Sequence, residues 1–174
     1  MNKQELELFY PKNKQHWREW LFNNHHRKDA VWLVFYKKQS DRKTISWSDA
    51  VDEALCFGWI DSKVESIDKE SYKQYFCQRK PNSTWSKINK EKIEKLTSTN
   101  QMTKAGFKAV ERAKQNGSWT ILDQVEALIL PEDLKQVLAG YKNALEYFDG
   151  LSKSNKKMLL YWITSAKKQE TRQK

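Results

Sequence analysis

The chain has 174 residues, with 32 Lys and Arg against 22 Asp and Glu and a formal net charge of +10. That length is enough for one substantial core, and no run approaches the roughly 20 apolar residues of a membrane helix. With 5 Gly and 3 Pro the chain is not low-complexity, and 8 Trp, 7 Tyr and 7 Phe supply large side chains for burial. In chain order, Asn13 is placed to cap a helix whose inward stripe is Trp17, Trp20, Leu21 and Asn24. Ala30 to Tyr36 is β-branched and aromatic throughout and reads as a strand buried on both faces, near 30–38. Ser46 with Asp49 makes a capping box, with Ile45 stapled onto Ala50. The helix it opens is expected to bury Trp47, Ala50, Val51, Ala54 and Leu55 and to stop at Gly58 in the left-handed conformation.

Beyond Gly58 the period shortens. Trp59 to Ile67 and Tyr72 to Arg79 flank the polar turn Asp68-Lys69-Glu70-Ser71, which predicts an antiparallel hairpin near 59–79 that ends before Pro81. Alternation along the second arm sets Tyr75, Cys77 and Arg79 opposite Gln74, Phe76 and Gln78. The rest reads as helical. Ser83 or Thr84 caps a helix to about Thr97, and Thr103 caps another with Phe107 and Val110 inward and Gly117 as its stop. Pro131 followed by Glu132 and Asp133 starts a helix with the stripe Leu134, Val137, Leu138 and Tyr141. Ala144, Leu145, Tyr147, Phe148 and Leu151 form the next stripe, and Leu159, Trp162, Ile163 and Ala166 the last. The expectation is an α+β protein with a small antiparallel sheet and a mainly helical C-terminal half. It forms a single domain over 1–174, subdivided near 118–131 into an α+β part, 1–120, and a helical part, 131–174.

Charge is uneven along the chain. Arg79 to Lys95 holds six basic residues against two Glu, and Ser152 to Lys174 seven against one, so the two segments account for the whole excess. Such segments can attract nucleic acid, acidic membrane or acidic protein, although lysine-rich helices are more often simply solvated. Met1 to Glu5 lacks the apolar core of a signal peptide. Cys56 and Cys77 read as free thiols of a reducing compartment, and together these place the protein in the cytoplasm.

Ala54-Leu55-Cys56-Phe57-Gly58-Trp59-Ile60-Asp61 and Arg79-Lys80-Pro81, followed by Trp85-Ser86 and Asn89, mix aromatics with charge where the backbone turns. With Met102-Thr103-Lys104-Ala105-Gly106 and the closing Ala166 to Arg172, they resemble the YdeI/OmpD-associated family, also described as bacteriocin-protection proteins. The likeness extends over nearly the whole chain, while Asn82-Ser83-Thr84 departs from the Lys-Ser-Asn expected there. The resemblance implies a link to antimicrobial-peptide tolerance and stress response, with no defined activity. A basic protein repels cationic peptides, so any such effect is expected to be indirect.

Among chemical sites, metal binding is disfavoured, because His16, His25 and His26 show no ligand spacing and the two adjacent imidazoles read as exposed loop residues. No glycine-rich phosphate loop is present, Cys56 and Cys77 lack an evident base, and no cofactor, metal or catalytic residue is expected. The candidate ligand site is Trp59, Asp61, Tyr75, Arg79, Trp85, Ser86 and Asn89: an aromatic wall, one carboxylate, one guanidinium and a helix N-terminus suited to a small anionic or zwitterionic ligand, with a protein partner as another occupant. The plainer alternative is that Asp61 pairs with Arg79 or Lys80 while Trp59 and Trp85 are core. The competing class is nucleic-acid binding, with Lys87, Lys90, Lys92 and Lys95 following a phosphate backbone.

Overall fold

The computed structural model describes residues 6–166 and 168–173. Met1 to Glu5, and Lys167 and Lys174 of the basic C-terminal segment, lie outside the described residues. The described elements are β1 (Leu8–Phe9), α1 (Lys14–Asn24), β2 (Ala30–Tyr36), α2 (Trp47–Cys56), β3 (Trp59–Ser66), β4 (Ser71–Gln78), α3 (Lys87–Ser98), α4 (Lys104–Gln115), α5 (Asp123–Glu126), α6 (Glu132–Ala139), α7 (Ala144–Gly150), α8 (Lys153–Ser165) and α9 (Gln169–Gln173). Two units divide them: the chain to Ser83 with Ile88–Ala113, and Thr84–Lys87 with Lys114 onward.

The first unit is built on a four-stranded sheet in the order β1-β2-β4-β3. β2, β4 and β3 are antiparallel as expected, but the two-residue β1 joins β2 in parallel, so the sheet is mixed. A strand that short has no period to detect. β4 is central, and its register sets Trp59 opposite Gln78 and Asp61 opposite Phe76. Tyr75 stands opposite Trp32 of β2, and alternation therefore puts it on the other face of the sheet from Asp61.

Both helix starts expected near the sheet form as read. Asn13 Oδ1 accepts the His16 amide at 2.8 Å, and Ser46 Oγ accepts the Asp49 amide at 3.1 Å while donating to Asp49 Oδ2 at 2.6 Å. α1 buries Trp17, Trp20, Leu21 and Asn24, the expected stripe. Trp17 stacks on Trp20, meets Phe76 edge-on and donates its indole N–H to Ala50 O at 3.0 Å. α2 buries Ala50, Val51, Ala54, Leu55 and Cys56, but Trp47 is 46 % exposed. As the first residue of the helix it points outward, and its indole N–H reaches Asp61 Oδ2 at 2.9 Å.

α3 begins at Lys87, later than a cap at Ser83 or Thr84 would place it. Thr103 does cap α4, accepting the Gly106 amide at 3.4 Å. Phe107, expected inward, is 46 % exposed, because α4 buries Gly106, Val110 and Ala113 instead.

In the second unit Leu122, Val125, Phe148 and Leu160 form the core, with Leu128, Leu130, Leu134, Leu138, Leu151 and Leu159 half-buried around it. Trp85 is buried there, its ring 5.0 Å from Trp119. Val137, Tyr141, Tyr147 and Trp162, each read as part of an inward stripe, are instead exposed. The helices here are short, and a core of four residues cannot cover every apolar position on them.

Candidate functional site

The helix-ending turn Phe57-Gly58 positions the site. Gly58 takes φ +73°, and a Cβ on it would lie 3.0 Å from Ala105 O and 3.1 Å from Ala109 Cβ. Gly106 is packed more closely still, since a Cβ there would lie 2.4 Å from Cys56 O. That same carbonyl, one of the unpaired carbonyls at the end of α2, accepts from both the amide (3.1 Å) and the hydroxyl (2.6 Å) of Thr103. The Met102-to-Gly106 step is therefore a docking device. It holds the first turn of α4 against the end of α2.

Glu53, which the hydrophobic pattern did not single out, strengthens this corner from below. It is fully buried on α2 and accepts from Arg18 Nη1 at 2.6 Å, with Lys14 Nζ at 3.4 Å. Arg18 Nη2 donates onward to Gln101 O at 2.9 Å, which ties α1, α2 and the approach to α4 together.

The turn after α1 closes the other side. His25 is the C-cap of α1, and its carbonyl accepts from Gln78 Nε2 at 2.9 Å and from the Trp59 indole at 3.4 Å. Gln78 Nε2 also donates to Lys28 O at 3.0 Å. A cavity of about 200 Å³ results, bounded by His25 and His26, by Phe57, Gly58 and Trp59, by Gln78 and Arg79, and by Ala105, Lys108, Ala109 and Arg112. All of these residues belong to the first unit.

Its electrostatics are one-sided. Arg79, Lys108 and Arg112 bring three fixed positive charges and His25 and His26 two imidazoles, and no carboxylate is among the described lining residues. Arg79 is 8 % exposed, and burial lowers its guanidinium to about 10 against a favourable field from Asp61. It remains a cation at neutral pH, with Nη1 donating to Ser83 Oγ at 3.3 Å. The larger clefts differ in kind. One of about 490 Å³ beside α1 is lined by Glu19 as well as Arg27, and one of about 530 Å³ in the second unit by Asp133 as well as Arg172.

Of the residues expected to form a site, Trp59 and Arg79 are brought together here. Asp61 is directed elsewhere, accepting from Trp47 and Gln74. Tyr75 meets Trp32 edge-on with Lys63 Nζ over its ring. Trp85 and Ser86 belong to the second unit, and Asn89 lies half-buried in α3. Of the four lysines of the nucleic-acid reading, Lys92 is ion-paired to Asp52 and bonded to Ser48 Oγ at 2.8 Å. The sequence reading missed His25, His26, Lys108 and Arg112. The available signal was Lys104, Lys108 and Arg112, which recur every fourth residue on one helix face beside Ala105 and Ala109. Neither thiol resembles a nucleophile: burial, reinforced by Glu53, raises Cys56 to about 11, and burial also raises Cys77.

Fold and site together define an α+β protein with a cationic cavity at one end of its sheet, and no helix among the described residues is long and apolar enough to cross a membrane. The chain belongs to the family described as a domain of unknown function (DUF8412), whose model matches residues 9–109. Residues 127–174 match the family described as bacteriocin-protection, YdeI or OmpD-associated. That resemblance is thus shown for the C-terminal part of the chain, including Ala166 to Arg172, whereas the Gly58, Arg79 and Met102 motifs fall within the first match. No curated protein and no solved structure matches the chain.

Proposed function

We propose that this is a small-ligand-binding protein of the cytoplasm whose site is the cavity around Trp59 and Arg79, and that the ligand is an anion. One observation carries the reading: Arg79, Lys108, Arg112 and two imidazoles line one cavity, and no carboxylate is among its described lining residues. Trp59 and Phe57 give the cavity an apolar wall beside its charged groups. The match over residues 127–174 supports a role in bacteriocin tolerance or a related stress response, exerted through the bound ligand. Nucleic-acid binding through Lys87, Lys90, Lys92 and Lys95 has less support, because Lys92 is already ion-paired.

The test is a thermal-shift screen of small anions on the parent and on a Lys108→Ala/Arg112→Ala variant. Both side chains are exposed, so the variant keeps the fold. The proposal expects stabilisation of the parent that rises with anion concentration and is lost in the variant. Equal stabilisation of the two proteins would overturn it.

A further inference from the structure

Away from the cationic cavity, we infer that the cleft beside α1 binds a short peptide with free termini, a di- or tripeptide carrying an apolar side chain. The two sites share no lining residue. At about 490 Å³ the cleft falls within the roughly 300–1,000 Å³ of small-ligand sites. One wall is aromatic: Phe9 of β1 lies 5.6 Å from Trp20, which Trp17 backs at 5.1 Å. Such a surface takes an apolar or aromatic side chain. Glu19, Asn23 and Arg27 also line the cleft, every fourth residue along α1 and the turn that follows it. A carboxylate, a carboxamide and a guanidinium thus follow one another along its length.

The two charges are opposite in sign, and the groups that hold them are neutral. Glu19 Oε1 accepts from Gln15 Nε2 at 3.0 Å. Arg27 donates to Asn24 Oδ1 from Nε at 3.0 Å and from Nη2 at 2.8 Å. Asn24 is itself buried and donates to Trp20 O at 2.7 Å, so it orients the guanidinium without cancelling its charge. Glu7, whose carboxylate feels the field of Arg27, has its own ion pair with Lys28. Among the described residues no ion pair joins Glu19 to Arg27, which by the helical repeat stand about 12 Å apart in axial rise. That gap sets the ligand. In a free amino acid both charges sit on one carbon and cannot serve both residues. An extended chain advances about 3.3–3.6 Å per residue, so the termini of a di- or tripeptide separate far enough to do so. The ammonium meets Glu19 and the carboxylate meets Arg27, while the peptide groups pass Asn23.

Isothermal titration of the full chain with the tripeptide Gly-Phe-Gly tests this, at about pH 6.5, where a peptide amine is charged. Saturable binding is expected. Acetylating the N-terminus or amidating the C-terminus should each weaken it about fivefold, the upper range for an exposed ion pair. Free phenylalanine should bind at least about tenfold more weakly than the tripeptide. Variants then place each end. In Glu19→Gln the acetylated and free peptides should bind alike, and in Arg27→Gln the amidated and free peptides should. Both residues are exposed, and circular dichroism checks that the fold is kept. Phenylalanine binding as tightly as the tripeptide would overturn the separation of charges. Blocking penalties that persist in both variants would overturn the assignment to this cleft, and no binding at millimolar peptide would refute the site altogether.

Discussion

The two units differ in the balance of buried and exposed aromatic side chains. In the first, Trp17, Trp20, Trp32, Trp59, Phe35 and Phe76 are all buried against a sheet, and an internal carboxylate is held by two cations. In the second, Tyr141, Tyr147, Tyr161 and Trp162 are exposed around a core of four buried apolar residues. A sheet offers an extended surface on which large rings interlock, while short helices expose part of every turn. The difference suggests that rigidity, and with it a preorganised cavity, belongs to the first unit.

Substitutions can break that contrast or sharpen it. Trp17→Ala removes a fully buried ring and its bond to Ala50 O, and should cost about 4 kcal/mol in denaturant unfolding. Phe148→Ala should cost about 3 kcal/mol; a loss larger than that of Trp17→Ala would show that the helical unit is the better packed of the two. Gly106→Ala drives a methyl into Cys56 O and should cost about 2 kcal/mol, and because α4 must move, it should also weaken anion binding. Gly58→Ala should cost about 1 kcal/mol, from its positive φ and the nearness of Ala105 O.

The last effect is a pH dependence confined to alkaline pH. The unfolded Cys56 thiol ionises near 9.0 and the folded thiol only at about 11. Between these values the unfolded state has released its proton and the folded state has not, so stability present below 9.0 declines as pH rises through that interval. Cys56→Ala should flatten this alkaline decline in unfolding curves. At neutral pH, iodoacetamide should label half-buried Cys77 well before buried Cys56.

Much of this architecture was legible because local rules act within a few residues. Asn13, Ser46, Gly58 and Thr103 each satisfy or terminate a helix through a neighbour three or four positions away, and all four behave as their chemistry requires. Trp47 and Phe107 were misplaced because an aromatic at a helix start, or beside a glycine, has more than one direction open to it. The choice depends on Asp61 in one case and on the close approach of Gly106 to Cys56 in the other. The candidate site was half legible. Trp59 and Arg79 lie at adjacent strand ends, so the predicted hairpin brought them together. Lys108 and Arg112 come from a helix roughly thirty positions further along, placed by Thr103 and Gly106, and nothing local to either reveals that they share a cavity.

The central claim, that an anion occupies the cavity at the end of the sheet, is tested most directly by amide and indole chemical shifts during a phosphate titration. The account predicts saturable shifts at the Trp59 indole, at the amides of His25, His26, Gly58 and Arg79, and along Ala105 to Arg112. Shifts confined to the lysines of α3 or to the helices after Ala113, or none at millimolar phosphate, would contradict it.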